Sequence, residues 1–218
     1  MRTIVGELFL TSISSYLHFS LHRSSSSSLQ IKFENRYKGD IGNDCLISVD
    51  TTDCRINEPW PFDTNWSARW SSFKFGKKAA LRYEIALCIL TGDIVWYNGP
   101  FPAGMFNDWV IFNTKGLRAN LDEHERVEAD RGYRPGDPRV CKTPNTVFHP
   151  KEKWGIRRKV MARQEALNAR IKKYKILSTR FRHKMDLHHD VFRAVLVINQ
   201  IAFKCGEKLY SCTEYSDL

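Results

Sequence analysis

Three carboxylates occur at places in this sequence where they could do chemistry together. Asp50 follows the apolar run 45–49, Asp130 follows the short run 126–129, and Glu165 is an isolated acid in a strongly basic segment. We expect each aspartate to end a β-strand and the glutamate to lie on a helix that crosses the two strands. Hard oxygen ligands of this kind hold Mg²⁺ or Mn²⁺. Two such ions can activate water and stabilise the leaving oxygen in phosphodiester cleavage.

The spacing of these acids does not select them by itself. The chain has 24 acidic residues, so similar triples arise by chance, and the commonest position for an aspartate such as Asp130 is a solvated loop. Asn168 shares a helical face with Glu165, and Lys172 lies one turn further on. Asp108 is interpreted mainly as a helix cap that fixes a loop near the site. Asn168 and Asp108 are therefore auxiliary candidates.

The elements that would position these residues alternate between strands and helices. We predict a strand at 45–50, a hairpin of strands at 80–90 and 93–100, a helix at 106–117 capped by Asn107 or Asp108, a strand ending at Asp130, and helices at 155–182 and 189–203. This order is typical of an α/β fold. The serine run at 24–28 is typical of a linker. We therefore predict an N-terminal extension at 1–29 and one folded domain at 30–218.

The net charge of +10 is concentrated in one part of the chain. The segment from Arg139 to Lys184 has 15 basic residues but only Glu152 and Glu165 as acids. Such a segment is either a solvated face or a surface for a polyanion, with nucleic acid favoured over membrane. No apolar run reaches the roughly 18 residues of a membrane span. The six cysteines show no zinc-type spacing, which favours buried free thiols in a reducing compartment.

Several longer motifs are much more specific than the acids alone. ISVDTTDCRI, GPFPAGMFNDWVIF, VEADRGYRP, RQEALNARIKKYKILSTRFRH and HHDVFRAVLVINQIAF follow one another in this order. Each resembles a segment of the Harbinger-type, transposase-derived DDE superfamily endonucleases: the first-aspartate strand, the aspartate and helix after Pro-Ala-Gly, the second-aspartate block, the glutamate helix and the closing helix. The resemblance covers about residues 40 to 210.

The resemblance implies an RNase H-like fold, with a central mixed sheet flanked by helices. It assigns Asp50, Asp130 and Glu165 as the catalytic triad that binds Mg²⁺ or Mn²⁺, with two ions expected. The implied reaction is hydrolysis of a DNA phosphodiester followed by strand transfer. The implied partners are double-stranded DNA, a second copy of the chain and a separate DNA-binding protein, without a membrane. The expected location is the nucleus in a eukaryote and the cytoplasm otherwise.

A set of basic residues on the long helix could contact the DNA backbone, and these contacts would position a duplex without reading its sequence. The alternative for each is simple solubility of a surface helix. The set is Arg157, Arg158, Arg163, Lys172, Lys173 and Lys175.

A second function remains open at this point. Family members usually carry a larger N-terminal region that recognises DNA, whereas about 40 residues precede the first predicted strand here. The alternative is therefore a catalytically inactive, transposase-derived protein that binds DNA or another protein. Metal binding and strand cutting distinguish the two functions, because both predict salt-dependent DNA affinity.

Overall fold

The computed structural model describes residues 31–37, 45–58, 65–114, 116–123, 125–133, 140–142 and 154–212. These residues all belong to one folded unit that begins at Ile31. The predicted N-terminal extension at 1–29, with its serine run, lies outside the described residues.

Strands and helices alternate along the described residues, so the fold is of the α/β class that the sequence predicts. The strands are β1 (Cys45–Arg55), β2 (Ser71–Ser72), β3 (Lys78–Cys88), β4 (Ile94–Pro102), β5 (Arg126–Ala129) and β6 (Cys141–Lys142). The α-helices are α1 (Trp66–Trp70), α2 (Asp108–Thr114), α3 (Trp154–Lys173), α4 (Lys175–Ser178) and α5 (Leu187–Lys204).

The strands form one mixed sheet with β1 at its centre. β3 pairs antiparallel with β1 on one side and with β4 on the other, which confirms the predicted hairpin. On its other edge β1 pairs in parallel with β5, and β5 pairs in parallel with β6. The short strand β2 pairs with the start of β3. Across the sheet the order is therefore β4, β3, β1, β5 and β6.

The two faces of the sheet bury different sets of side chains, because successive residues of a strand point to opposite faces. One face packs against α3 and α5 through the apolar side chains Tyr83, Ile85, Leu87, Leu167, Ile171, Phe192 and Leu196. The other face packs against α2 and the turn after β5 through Val49, Ala86, Phe112, Val127, Ala129 and Tyr133. All six cysteines are free thiols, and all but Cys205 are buried.

Two predicted boundaries are wrong. β1 does not end at Asp50 but continues to Arg55, so Asp50 lies in the middle of the strand. The polar residues after it looked like a turn, but β-branched threonines suit a strand and Asp53 is buried with an ion-pair partner on β3. The long helix ends at Lys173, and a separate short helix follows from Lys175 to Ser178.

Candidate active site

Asp50 lies on β1 and Asp130 lies directly after the neighbouring strand β5, in the middle of the sheet. β1 and β5 run parallel, and their last registered pair is Val49 with Ala129. Asp50 and Asp130 are the next residue on each chain. The charge of Asp130 raises the pKa of Asp50. The structure therefore brings together the two aspartates that the sequence predicts to act together.

Asp50 is held by hydrogen bonds to both of its oxygens. The backbone N–H of Thr51 donates to Oδ1 at 2.7 Å, and the Asn168 amide donates to Oδ2 at 2.8 Å. Burial raises the pKa of the Asp50 carboxyl to about 7, and the charges of Asp130 and Asp108 raise it in the same direction, while Lys74 opposes the shift. Without a cation this acid is thus partly protonated at neutral pH. A bound cation would favour its ionised form.

Asp130 lies on a tight turn that leaves its carboxylate close to a second acid. The backbone N–H of Gly132 donates to Asp130 Oδ1 at 2.7 Å. Burial raises the pKa of Asp130, and the charge of Asp108 adds to this effect, whereas the Gly132 bond and Lys74 lower it. A methyl group at position 132 would overlap Asp108 Oδ2 and lie 3.0 Å from Asp130 Oδ1. An alanine at position 132 would therefore have to displace the Asp108 carboxylate, which packs against this turn.

Asp108 is not the cap of α2. The Asn107 side chain caps the helix, because its Oδ1 accepts a hydrogen bond from the Val110 N–H at 2.8 Å. Asp108 instead accepts a hydrogen bond from Thr51 Oγ1 at 2.5 Å and lies 3.2 Å from Arg82 Nη1. The interpretation of Asp108 mainly as a cap is corrected: its carboxylate joins α2 to β1 and β3 beside Asp130.

Helix α3 is aligned with β1 by polar side chains four residues apart. Ser48 Oγ donates to Gln164 Oε1 at 3.1 Å. One turn further on, Asn168, an auxiliary candidate of the sequence analysis, donates to Asp50. One more turn on, Lys172 Nζ donates to the Asp53 carbonyl and lies 3.2 Å from Cys54 Sγ. These bonds fix which residues of α3 can face the two aspartates.

Glu165 is close to this alignment but does not contact the aspartates. It precedes Asn168 by three residues, so its side chain lies about 60° further round the helix, where it is exposed. Arg163 and Leu167 point towards β3 on the opposite flank, which leaves Glu165 on the flank nearer β5. Burial raises the pKa of the Tyr210 phenol, and the charge of Glu165 acts in the same direction with a smaller effect. Among the described residues, no group of three or more Asp, Glu, His or Cys side chains is arranged to hold a metal ion.

Arg157 and Arg163, two of the six proposed DNA contacts, are buried, so their prediction is corrected. Arg157 donates to Glu128 Oε2 through Nη2 at 2.6 Å and through Nε at 3.0 Å. Arg163 is 1% exposed and donates to the carbonyls of Cys88, at 3.1 Å, and of Ile89. Both guanidinium groups hold α3 against the sheet.

The other four proposed DNA contacts fall into two groups. Lys172 is partly buried by its bond to β1, which limits its reach. Arg158, Lys173 and Lys175 are exposed. Their contact with DNA therefore stays a prediction.

The sequence analysis missed an ion pair and a lysine beside the site. Arg82 donates to Asp53 through Nε at 2.7 Å and through Nη2 at 3.0 Å. Burial alone would raise the pKa of Asp53, but the bonds and charge of Arg82 lower it. Lys74 donates to the Thr51 carbonyl at 3.0 Å. Asp53 and Arg82 are directly opposite in the β1–β3 register, but the predicted strand at 45–50 stops before Asp53, so a search for opposite charges across strands would have found this pair only with a longer β1.

Two buried polar groups lie behind the acids on the α2 face. Glu84 is opposite Thr51, and burial raises the pKa of its carboxyl to about 8. Trp96 Nε1 donates to one Glu84 oxygen at 3.3 Å, while the other oxygen has no hydrogen-bond partner. The Tyr133 hydroxyl is also buried without a partner. Tyr133 packs in the core.

No protein family, curated protein or solved structure matches this chain. Among the described residues, none of the helices is both long enough and apolar enough to cross a membrane. The family resemblance therefore rests on the sequence motifs, and the chemistry of the site rests on the geometry of Asp50, Asp130 and their neighbours.

Proposed function

We propose that this chain is a metal-dependent DNA endonuclease of the DDE transposase type. The observation that carries the proposal is the pair formed by Asp50 and Asp130, which follow a registered pair of residues on two adjacent parallel strands. Burial and mutual repulsion raise the pKa of Asp50 to about 7. Such a pair gains from a divalent cation, because carboxylate oxygens are the ligands that Mg²⁺ and Mn²⁺ prefer.

The arrangement of the sheet supports an RNase H-like version of the α/β fold. The first aspartate lies on the central strand β1, which has an antiparallel neighbour on one side and a parallel neighbour on the other. The second aspartate directly follows that parallel neighbour, and α3 runs along β1. Two adjacent strands with a helix along one of them support the convergence of the three carboxylates that we expect.

Asp50 and Asp130 would hold the metal, and the residues around them would orient the carboxylates. Asn168 and the Thr51 N–H each donate a hydrogen bond to one oxygen of Asp50, so these two donors orient its carboxylate. The Gly132 N–H does the same for one oxygen of Asp130. Bound Mg²⁺ or Mn²⁺ would activate water and stabilise charge on the phosphate. The activated water would hydrolyse a phosphodiester of the DNA and free a 3′-hydroxyl. This hydroxyl would then attack a second DNA strand at the same site.

Glu165 is the proposed third ligand. Its exposed side chain lies one turn from Asn168, which itself contacts Asp50. Residues three apart on a helix are neighbours, with about 5–6 Å between their Cβ atoms. We infer that binding of one or two metal ions draws this carboxylate towards Asp50 and Asp130.

DNA is the proposed substrate because of the exposed basic residues on and after α3. Arg158, Lys173 and Lys175 are exposed and available for phosphate contacts. Contacts of this kind make affinity fall steeply with salt concentration. A second copy of the chain and a separate DNA-binding protein remain proposed partners.

Nicking of supercoiled plasmid in Mg²⁺ or Mn²⁺ tests the proposal. We expect the parent to nick, and we expect Asp50→Asn, Asp130→Asn and Glu165→Gln each to abolish nicking, since each removes one negative ligand. Glu123→Gln is the matched control, because Glu123 is an exposed carboxylate away from the proposed ligands.

Two results would contradict this proposal. If the parent binds plasmid but does not nick it in either metal, the chain is the catalytically inactive DNA-binding protein. If Glu165→Gln nicks normally while both aspartate variants fail, the third ligand is wrong and the aspartate pair stands.

A further inference from the structure

The turn between β2 and β3 presents an unusually exposed aromatic side chain. Phe73 is 89% exposed, more than any other large hydrophobic residue that the structure describes. It begins a short helical turn, Phe73–Phe75, which leads through Gly76 and Lys77 into β3. We name residues 73–77 the Phe73 turn. A single exposed hydrophobic side chain is common, so what matters is how this one is held and what surrounds it.

The Phe73 turn is fixed to the sheet by backbone bonds at its base. The Lys77 N–H donates to the Ser72 carbonyl at 2.8 Å, and the Gly76 N–H donates to the Phe73 carbonyl at 3.2 Å. Gly76 and Lys77 both have left-handed backbone conformations, with φ of 60° and 63°, which closes the turn tightly. Phe73 is therefore displayed by a structured turn.

A buried hydrogen bond connects the base of the turn to β1. Ser72 Oγ donates to Asp53 Oδ2 at 2.5 Å, and Asp53 is itself held by Arg82. These bonds join the turn to the strand that carries Asp50. A turn held in this way keeps its backbone conformation when a ligand arrives, which lowers the entropic cost of binding.

The Phe73 turn is strongly basic and lies beside the two aspartates. Lys74 Nζ bonds to the carbonyl of Thr51, the residue after Asp50, at 3.0 Å. This bond places the turn at the edge of the candidate active site, where the charge of Lys74 opposes the rise that burial causes in the pKa of Asp50 and of Asp130. Lys77 and Lys78 are exposed at the other end of the turn.

We propose that the Phe73 turn binds an unpaired nucleotide of DNA next to the proposed cleavage site. The base would stack on the Phe73 ring, and Lys77 and Lys78 would contact the flanking phosphates. Every base has a flat face, so stacking on an aromatic side chain suits single-stranded DNA of any sequence. This inference rests on the proposed function, since it takes DNA as the ligand of the same site.

The surrounding residues favour a nucleic acid strand over a membrane surface. Membrane association requires a helix with a continuous apolar face, whereas Phe73 is followed by lysine and by the partly buried Phe75. The aromatic ring flanked by cations beside a carboxylate pair matches the combination of base stacking and phosphate contact in single-strand binding sites.

Binding of a fluorescein-labelled oligothymidine, followed by fluorescence anisotropy in EDTA, tests the inference without catalysis. We expect Phe73→Ala to weaken binding roughly 5- to 150-fold, the range for loss of one stacked base. Phe73→Trp should bind at least as tightly as the parent, whereas Phe73→Leu should resemble Phe73→Ala, because leucine is apolar but does not stack. Lys77→Gln should lower the slope of log affinity against log salt by about 0.7, the value for one single-strand phosphate contact.

Leu187→Ala is the matched control, because Leu187 is 48% exposed on a different element, α5. Anionic phospholipid vesicles and a fully paired duplex serve as competing ligands. Unchanged oligothymidine affinity in Phe73→Ala, equal affinity of Phe73→Leu and Phe73→Trp, or Phe73-dependent binding to vesicles alone would overturn the inference. If Phe73 governs oligothymidine binding but the parent does not nick plasmid in metal, the inference stands and the nuclease proposal fails.

Discussion

Replacing Asp50 with asparagine should make the metal-free protein more stable at pH 8. The pKa of the Asp50 carboxyl is raised to about 7 in the folded chain, mainly by burial. An unfolded aspartate has a pKa near 3.9. The folded state therefore holds this proton more tightly, so its contribution to stability is present below about pH 4 and is lost as the pH rises through about 7. Asparagine does not titrate and escapes this loss.

The expected size follows from the difference between the two pKa values. A shift of one unit corresponds to about 1.36 kcal/mol, so a rise of roughly three units gives on the order of 4 kcal/mol as an upper limit. Asp50 keeps some contact with solvent, and we expect about 2–4 kcal/mol between pH 4 and pH 8. The substitution also suits its neighbour: Asn168 Oδ1 has no hydrogen-bond partner and can accept from the new amide once the Asn168 side chain rotates.

Urea unfolding in EDTA at pH 4 and pH 8 measures this difference. The gain in stability of Asp50→Asn over the parent should be larger at pH 8 than at pH 4 by the amount above. Glu123→Gln, which removes an exposed carboxylate, should show no such pH-dependent gain. Mg²⁺ at pH 8 should stabilise the parent but not Asp50→Asn. A pH-independent difference, or a less stable variant at pH 8, would refute the reasoning.

Two further substitutions test the structure around the site. Gly132→Ala should abolish nicking with a smaller effect on unfolding, because its methyl group would overlap Asp108 and displace the turn of Asp130. Gly155→Ala is the control, because a methyl group at that position meets open space. Normal nicking by Gly132→Ala would contradict the packing described here. Arg157→Met should lower the free energy of unfolding by about 3–5 kcal/mol, since it removes the ion pair that Arg157 forms with the buried Glu128 carboxylate. In urea unfolding, the double variant Arg157→Met with Glu128→Gln should recover part of the lost stability. If Arg157→Met lowers the free energy of unfolding only as much as Arg158→Met does, the ion pair is unimportant.

The elements that the sequence predicts best are those with a strong local signal. The hairpin of β3 and β4 was predicted within a few residues, because two apolar runs flank a tight turn. Asp130 lies directly after a strand, as Arg131-Gly132 indicated. Asn168 was predicted to share the face of the helix that lines the site, and it binds Asp50. Helical periodicity is a local property, so it survives in the folded chain.

The parts that were mispredicted depend on partners far away in the sequence. Arg157 and Arg163 look like surface charges in a basic segment, but Glu128 and the carbonyls at the end of β3 bury them. β1 was ended too early because the polar residues after Asp50 resemble a turn, and only Arg82 on the next strand explains a buried Asp53. Neither relationship is visible within a short window of sequence.

The alignment of α3 along β1 also limits which amino-acid substitutions the chain can tolerate during evolution. Two contacts join these elements, one between Ser48 and Gln164 and one between Asp50 and Asn168. They are about 6 Å apart along both elements, because four residues of a helix and two residues of a strand span nearly the same length. A single substitution to an apolar residue in either pair leaves the polar group of its partner inside the protein without this hydrogen bond. Substitutions at these positions should therefore occur together in pairs. In related chains that have lost Asp50, asparagine is no longer required at position 168.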